Sequence, residues 1–292
     1  MVQVTVFGGS GFLGSYVADE LSARGYDVVL ADLRASTYSS QNQKCLTCDI
    51  MDPQAVSKAI KDSEVIFNFA GIANLDECKD KPKDTIEQNV LGNINIMENI
   101  INYPVKRYVY ASSVYAASRE GSFYGISKLA SEKLIQEFGR RYNLNYTIVR
   151  YGSLYGERAG SENGIYRIIE EALSDKKITY SGDGDEIREY IHASDAAKLS
   201  VDIIEDASYA NDTITLTGVE KLNRRDLVKM IEEIIGKKIH VKYSGEKWEG
   251  HYKVTPYSTE FGGAKKLVPN PFIDLGQGIA SCIESIYQRN SG

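Results

Sequence analysis

The feature that most limits what this chain can fold into lies at its amino end. An alternating, β-branched run over residues 2–7 reads as a strand, and it feeds straight into Gly8-Gly9-Ser10-Gly11-Phe12-Leu13-Gly14. A helical pattern follows to about Arg24, and Gly25 ends it. Glycines 9, 11 and 14 satisfy G-x-G-x-x-G; glycines 8, 11 and 14 satisfy G-x-x-G-x-x-G. Such a turn must be tight, must let backbone approach a pyrophosphate, and must point a helix amino end at the anion. The strand–turn–helix setting separates this reading from an ordinary glycine-rich turn.

A second strand, Asp27-Val28-Val29-Leu30-Ala31-Asp32, ends on a carboxylate close to the expected position about 20 residues past the glycines. A carboxylate there accepts hydrogen bonds from a ribose 2′-hydroxyl and repels a 2′-phosphate, which favours NAD over NADP. Arg34, two residues on, is able in principle to hold a 2′-phosphate, so the preference is strong rather than absolute. Strands are expected at 2–7, 27–31, 44–48, 64–69, 106–111 and 145–150, and helices at 12–24, 53–60, 81–101 and 123–142. This alternation predicts an α/β fold, a doubly wound parallel sheet with helices on both faces. Beyond residue 151 the pattern is less regular, with helices expected at 163–174, 194–205, 223–236 and 274–288. The expected division is a dinucleotide-binding domain over 1–151, with a return segment near 187–205, and a smaller α/β substrate-binding lobe over 152–292.

Tyr124-Gly125-Ile126-Ser127-Lys128 carries candidate chemistry. Residues four apart share a helix face, so phenol and ammonium project into one cleft. A free tyrosine titrates near ~10, and a neighbouring cation lowers that value. This suits removal of a hydroxyl proton while hydride leaves the same carbon. Alone the spacing is weak in a chain with 20 tyrosines; the dinucleotide motif upstream gives it weight.

The net charge of −6 argues against nucleic acid or an anionic membrane as partner. No apolar run approaches ~18 residues, so no transmembrane helix is expected. The amino end lacks a basic leader and already reads as a strand, so a cytoplasmic protein is expected. Four cysteines fit reduced thiols. Cys45 and Cys48 form a C-x-x-C, but no second pair exists and Cys78, Cys282, His192, His240 and His251 are scattered, so no metal site is expected.

Further segments, in order, resemble the extended short-chain dehydrogenase/reductase family, in its sugar-nucleotide epimerase/dehydratase branch. They are Asp49-Ile50, Asn68-Phe69-Ala70-Gly71, Asn89-Val90-x-Gly92, the stretch Arg150-Tyr151-Gly152-Ser153-Leu154-Tyr155-Gly156-Glu157-Arg158, and Gly182-Asp183-Gly184 followed by Arg188-Glu189-Tyr190-Ile191-His192 and Asp195. The resemblance covers nearly the whole chain. It implies a Rossmann-type fold and bound NAD, with cofactor contacts from Gly8, Gly11, Phe12, Leu13, Gly14, Asp32, Asp49, Ile50, Phe69, Ala70, Gly71, Asn89 and Tyr151. It implies Tyr124 as acid/base, Lys128 on the nicotinamide ribose, and a catalytic hydroxyl after the fifth strand. In Ala111-Ser112-Ser113-Val114-Tyr115 that is Ser113, with Ser112 as the alternate and a substrate contact. Ser153 and Arg188 are the implied contacts to substrate phosphates, Arg188 because a guanidinium grips a diphosphate bidentately. His192 is read as packing beneath the sheet. The helices at 81–101 and 123–142 imply a homodimer through a four-helix bundle, and Ile94, Ile96, Met97, Ile100 and Ile101 enlarge the apolar surface of the first.

Three departures from the family pattern discriminate among reactions. No carboxylate stands beside Ser112-Ser113-Val114-Tyr115, where 4,6-dehydratases carry Asp-Glu and sugar-acid decarboxylases a Glu. Only eight residues separate Tyr115 from Tyr124, so a pocket more open on that side is expected. Ser153 stands where an Asn is usual, and Glu157 where a Pro is usual. The first reading is therefore an NAD-dependent nucleotide-sugar 4-epimerase, with UDP-hexose ranked first. An NAD(H)-dependent nucleotide-sugar dehydrogenase or 4-keto reductase is second, and a non-catalytic dinucleotide-binding protein third.

Overall fold

Near-continuous apolar strands need cover on both faces, and helices placed between them supply it. The computed structural model describes residues 1–174, 177–245, 250–256 and 264–291. Its central sheet contains β1 (Gln3–Phe7), β2 (Asp27–Asp32), β3 (Gln43–Thr47), β4 (Val65–Asn68), β5 (Arg107–Ser113) and β6 (Tyr146–Tyr151), joined by β10 (Asp212–Leu216) and β13 (Lys265–Leu267). The order is β13-β10-β6-β5-β4-β1-β2-β3, and every pairing is parallel. This is the doubly wound arrangement, with the chain reversing direction at β1.

One face is covered by α1 (Phe12–Ala23) and α8 (Ala193–Glu205), whose Val17, Leu21, Ala196 and Val201 bury against Val6, Leu30 and Val149. The other is covered by α2 (Pro53–Ile60), α5 (Gly92–Ile100) and α6 (Ser122–Tyr142), which contribute Val56, Ile60, Ile96, Ile100 and Ile135. The second lobe holds β7 (Ser153–Tyr155), β9 (Ile187–His192) and β11 (Lys221–Asn223) in one small sheet, and β8 (Ile178–Tyr180) and β12 (Val241–Tyr243) in another. Around them pack α7 (Gly164–Leu173), α9 (Arg224–Ile235) and α10 (Leu275–Ser291), sharing Ile169, Leu227, Ile231, Ile279 and Ile286.

Two expectations change. The return to the first domain is wider than 187–205, because β10 and β13 extend the main sheet beyond β6. Without them β6 would be an edge with open hydrogen-bonding groups. The helix expected at 81–101 is broken into pieces. Asn74 caps α3 (Leu75–Asp80), its side chain accepting from Glu77 N at 3.0 Å. Pro82 then opens α4 (Pro82–Ile86), since a residue without an N–H cannot continue the preceding helix but suits a first turn. A π-helical turn over Glu87–Leu91 precedes α5. Such turns recur at functional sites, and this one holds Asn89.

Candidate active site

A cleft of about 720 Å³ opens where β1 lies between β2 and β4, the position at which doubly wound sheets bind ligands. Gly8, Gly11, Asp32, Ile50, Phe69, Ala70 and Gly71 line it, as do Ser10, Arg34, Thr37, Cys48 and Ile72. Gly8 has φ +72°, and a Cβ on it would lie 2.8 Å from Ala70 N. A Cβ on Gly14 would collide with Gly8 O. The loop, α1 and the strand-end segment therefore close on each other with no room for side chains. Gly11 caps α1 without a side-chain hydrogen bond, and the first turn holds no acid. The amino end of α1 is thus left available to an external anion. Asp32 Oδ2 accepts from Ser10 N at 3.0 Å and Oδ1 from Arg34 N at 3.3 Å, which fixes the carboxylate at the end of β2. A diphosphate on α1 and a ribose at Asp32 fit these groups, so the cleft suits NAD.

The remaining cofactor candidates are placed differently. Leu13 is buried in the core and the Phe12 ring meets Tyr16 edge-on, so neither side chain lines the cleft. Asp49 Oδ1 accepts from Met51 N at 2.9 Å, and only its neighbour Ile50 reaches the cleft. Asn89 is buried behind the wall. Its Oδ1 accepts from Ile72 N at 2.7 Å, and its Nδ2 donates to Ile72 O and to Ser127 Oγ, both at 3.0 Å. It thereby holds the lining backbone to α6. The Tyr151 hydroxyl meets Ser200 Oγ at 2.7 Å in the core against α8, and its ring lies 6.1 Å from that of Phe69 on the cleft wall. Of the residues not foreseen, Ser10 and Cys48 lay inside motifs already noted, whereas nothing marked Thr37. Burial raises the Cys48 thiol to about 11.

Three of the candidates meet at the end of β5. Ser113 Oγ accepts from Tyr115 N at 3.3 Å and hydrogen-bonds Tyr124. Lys128 Nζ donates to Ala111 O at 2.8 Å and lies 5.8 Å from the Tyr124 ring centroid. Ser112 is a correction. Successive strand residues face opposite sides, and its hydroxyl donates to buried Glu132 at 2.5 Å. Glu132 is held in turn by Arg150 through bonds of 2.8 and 2.6 Å. Ser112 therefore braces β5 against α6 and does not stand with Ser113. Burial pushes Tyr124 up to about 12, opposed by the Ser113 hydrogen bond. Burial also pulls Lys128 down to about 8. Desolvation and not the lysine therefore sets the phenol here.

Ser153 and Arg188 converge on a residue that carried no motif. Arg188 lies with its guanidinium 4.1 Å over the Tyr252 ring, and Nη1 donates to Ile187 O at 3.1 Å. Ser153 Oγ and Tyr252 Oη are 3.1 Å apart. Tyr252 packs 4.7 Å from Tyr115, which meets Tyr124 edge-on at 6.1 Å. Residues 250–255 form a strap from β9 to the start of α6. Ile187 N donates to Lys253 O at 2.9 Å, Thr255 N to Ile187 O at 3.2 Å, and Gly121 N to Gly250 O at 2.8 Å. His251 Nδ1 lies 3.2 Å from Tyr115 Oη. The side left bare by the short Tyr115–Tyr124 connection is covered by this strap, which corrects the expectation of a more open pocket. Glu157 accepts from Tyr16 Oη at 2.5 Å and faces His192 Nε2 at 3.4 Å. The neighbouring His192 ring, aided by the hydrogen bond from Tyr16, lowers the Glu157 carboxyl to about 2. Glu157 thus joins α1 to the second lobe, and buried His192 also caps α8 through Nδ1.

The chain is similar to known proteins over nearly its whole length. A protein of Methanocaldococcus jannaschii with a provisional UDP-glucose 4-epimerase name is 28% identical, covering 99% of both chains. A dTDP-glucose 4,6-dehydratase of Streptomyces antibioticus is 24% identical, covering 97% of this chain and 92% of its own. A solved UDP-glucuronic acid 4-epimerase of Bacillus cereus, in complex with UDP-glucuronic acid and NAD, superposes with a TM-score of 0.88 at 20% identity, covering 99% of this chain and all of that one. The glycine loop, Asp32 and the Ser113–Tyr124–Lys128 group all lie within residues 4–216, the span matched by the model of the NAD dependent epimerase/dehydratase family, and the chain belongs to that family.

Proposed function

We propose that this chain is an NAD-dependent nucleotide-sugar 4-epimerase, with a UDP-hexose as the first substrate to test. The observation that carries this reading is the junction of Ser113, Tyr124 and Lys128 at the end of β5, with no carboxylate on the turn that follows. When bound, NAD accepts hydride from the sugar carbon and can return it. Tyr124 takes the C4 hydroxyl proton and gives it back after the 4-keto sugar has turned its other face. Ser113 holds the substrate oxygen and relays the proton to the phenol. Lys128, at about 8, is largely cationic at neutral pH and favours the phenolate as it forms. A carboxylate to drive loss of water, as dehydration requires, is missing from Val114–Ala117.

The same three residues serve an NAD(H)-dependent nucleotide-sugar dehydrogenase or 4-keto reductase, which is the second reading. Phe123, Ile126 and Leu129 on α6 and Leu91 before α5 are exposed, which supports a homodimer through these helices. We place the enzyme in the cytoplasm on its composition; no helix among the described residues is long and apolar enough to cross a membrane.

The test is incubation of purified protein with UDP-glucose, UDP-galactose and their N-acetylated forms, without added cofactor, followed by NMR of the anomeric and H4 signals. Appearance of the C4 epimer is expected. Turnover only on addition of NAD(H), with net redox change, selects the dehydrogenase or reductase instead. An NAD-loaded protein inert under both conditions is the binding-protein outcome.

A further inference from the structure

The loop over residues 33–42, between β2 and β3, forms one rim of the cofactor cleft. Leu33, Arg34, Ala35 and Thr37 line the cleft just beyond Asp32, at its adenosine end. None of residues 33–42 is buried, so the apolar core does not hold this wall in place. A segment with so few buried contacts opens at little cost. Polar contacts tie it down instead. Ser10 Oγ donates to Arg34 O at 2.9 Å, which fixes the near end. Ser40 N donates to Gln43 Oε1 at 3.0 Å, and Gln43 Nε2 donates to Asp19 Oδ1 on α1 at 3.1 Å, which fixes the far end. The middle is held by Tyr38, the residue after Thr37. The Arg158 guanidinium lies over its ring, 4.7 Å from the centroid.

Arg158 is itself firmly placed. Its guanidinium also lies over the Tyr16 ring of α1, 4.5 Å from the centroid, and Nη2 donates to Asp19 Oδ2 at 2.6 Å. Tyr16 is fixed in turn by its bond to Glu157, the residue before Arg158. Asp19 thus anchors both Arg158 and the far end of the loop to α1. Arg158 follows β7, the strand of the second lobe that carries Ser153, so the cofactor wall leans on a side chain from the other lobe. A guanidinium withdrawn from water gains more from an aromatic face than one in solvent, and the Arg158 side chain is only 23% exposed. Resting on NAD binding, and not on the choice between epimerase and reductase, we infer that Tyr38 and Arg158 latch the cleft over its cofactor. Their contact keeps residues 33–37 against the adenosine half of NAD, and its breaking sets the rate at which NAD leaves. Both are positioning residues, since neither lines the cleft itself. An epimerase, which regenerates its cofactor in every cycle, needs such retention.

The test is the rate at which bound NAD exchanges with an excess of isotopically labelled NAD, read by mass spectrometry after rapid gel filtration. It is run on the NAD-loaded wild type and on its Tyr38→Ala, Tyr38→Phe and Arg158→Met variants. Tyr38→Ala and Arg158→Met are expected to release NAD at least tenfold faster. Tyr38→Phe, which keeps the ring, exchanges at the wild-type rate. A variant carrying both Tyr38→Ala and Arg158→Met is no faster than Arg158→Met alone, as one shared contact requires. NAD-free Tyr38→Ala melts with the NAD-free wild type, because the loop lies outside the core. Wild-type exchange in Tyr38→Ala overturns the inference whatever Arg158→Met does, since an effect confined to Arg158 marks a packing residue. So does exchange in Tyr38→Phe as fast as in Tyr38→Ala, which assigns the effect to the hydroxyl. A lower melting temperature of NAD-free Tyr38→Ala overturns it too, because the ring then holds the fold and not the cofactor.

Discussion

Around the glycine loop the protein approaches its cleft with backbone: Gly8, Gly11 and Gly71 line the wall, and Gly14 lets α1 close on Gly8. Across from it, around Tyr252, the protein presents side chains drawn from separated segments. Ser153 comes from β7, Arg188 from β9, and His251 and Tyr252 from the strap. A backbone site tolerates no added atoms. A side-chain site can change its residues and keep its shape, so it is where members of one family can diverge in substrate. The reacting residues Ser113, Tyr124 and Lys128 lie between the two.

Four experiments sharpen this contrast. The largest effect belongs to the reacting residues. Tyr124→Phe is expected to lower turnover ~10²–10⁴-fold, about 3–5 kcal/mol of barrier, with NAD retained in the purified protein; unchanged turnover would break the assignment. Next is the backbone side. Gly14→Ala sets a Cβ against Gly8 O, an overpacking of about 1–3 kcal/mol. It should release NAD, read by absorbance of the denatured protein's supernatant, and should lower the melting temperature.

On the side-chain side, Tyr252→Leu removes the ring over which Arg188 lies and the bond to Ser153. Loss of the cation–π contact alone is worth about 1–2 kcal/mol when desolvated. A roughly tenfold rise in KM with wild-type NAD content is expected. Loss of NAD instead would mean that the two sides are not separable. The smallest effect concerns the contact between them. Glu157 is depressed to about 2 from an ordinary value near 4.5, so it stabilises the fold above about pH 4.5 and loses that contribution as pH falls toward 2. Partial exposure cuts the gain to about 1 kcal/mol. Glu157→Gln should melt below wild type at pH 6, with the gap narrowing by pH 3. A gap independent of pH would mean that charge is not what joins the lobes there.

Legibility followed the same line. The strands from Gln3–Phe7 to Tyr146–Tyr151 and the helix bearing Tyr124 lie within a residue or two of where pattern and caps place them. Ser113 was separable from Ser112 only once the pleat and Glu132 were seen, because adjacent hydroxyls look alike in sequence. The motif containing Tyr151 was recognised, but its phenol turned inward to Ser200. Tyr252 and His251 carried no signal, since their partners Tyr115, Ser153 and Arg188 lie far away along the chain.

What the sequence determined by itself was local: a strand, a glycine turn and a helix fix where a diphosphate can lie, and a four-residue spacing puts Tyr124 and Lys128 on one face. What only the tertiary structure decided was which distant segments meet around the site: the strap over the short loop, and the inward turn of Ser112 and Tyr151. Those outcomes depend on packing between residues remote in the chain, where burial outweighs local preference and moves even the phenol of Tyr124 and the amine of Lys128 in opposite directions.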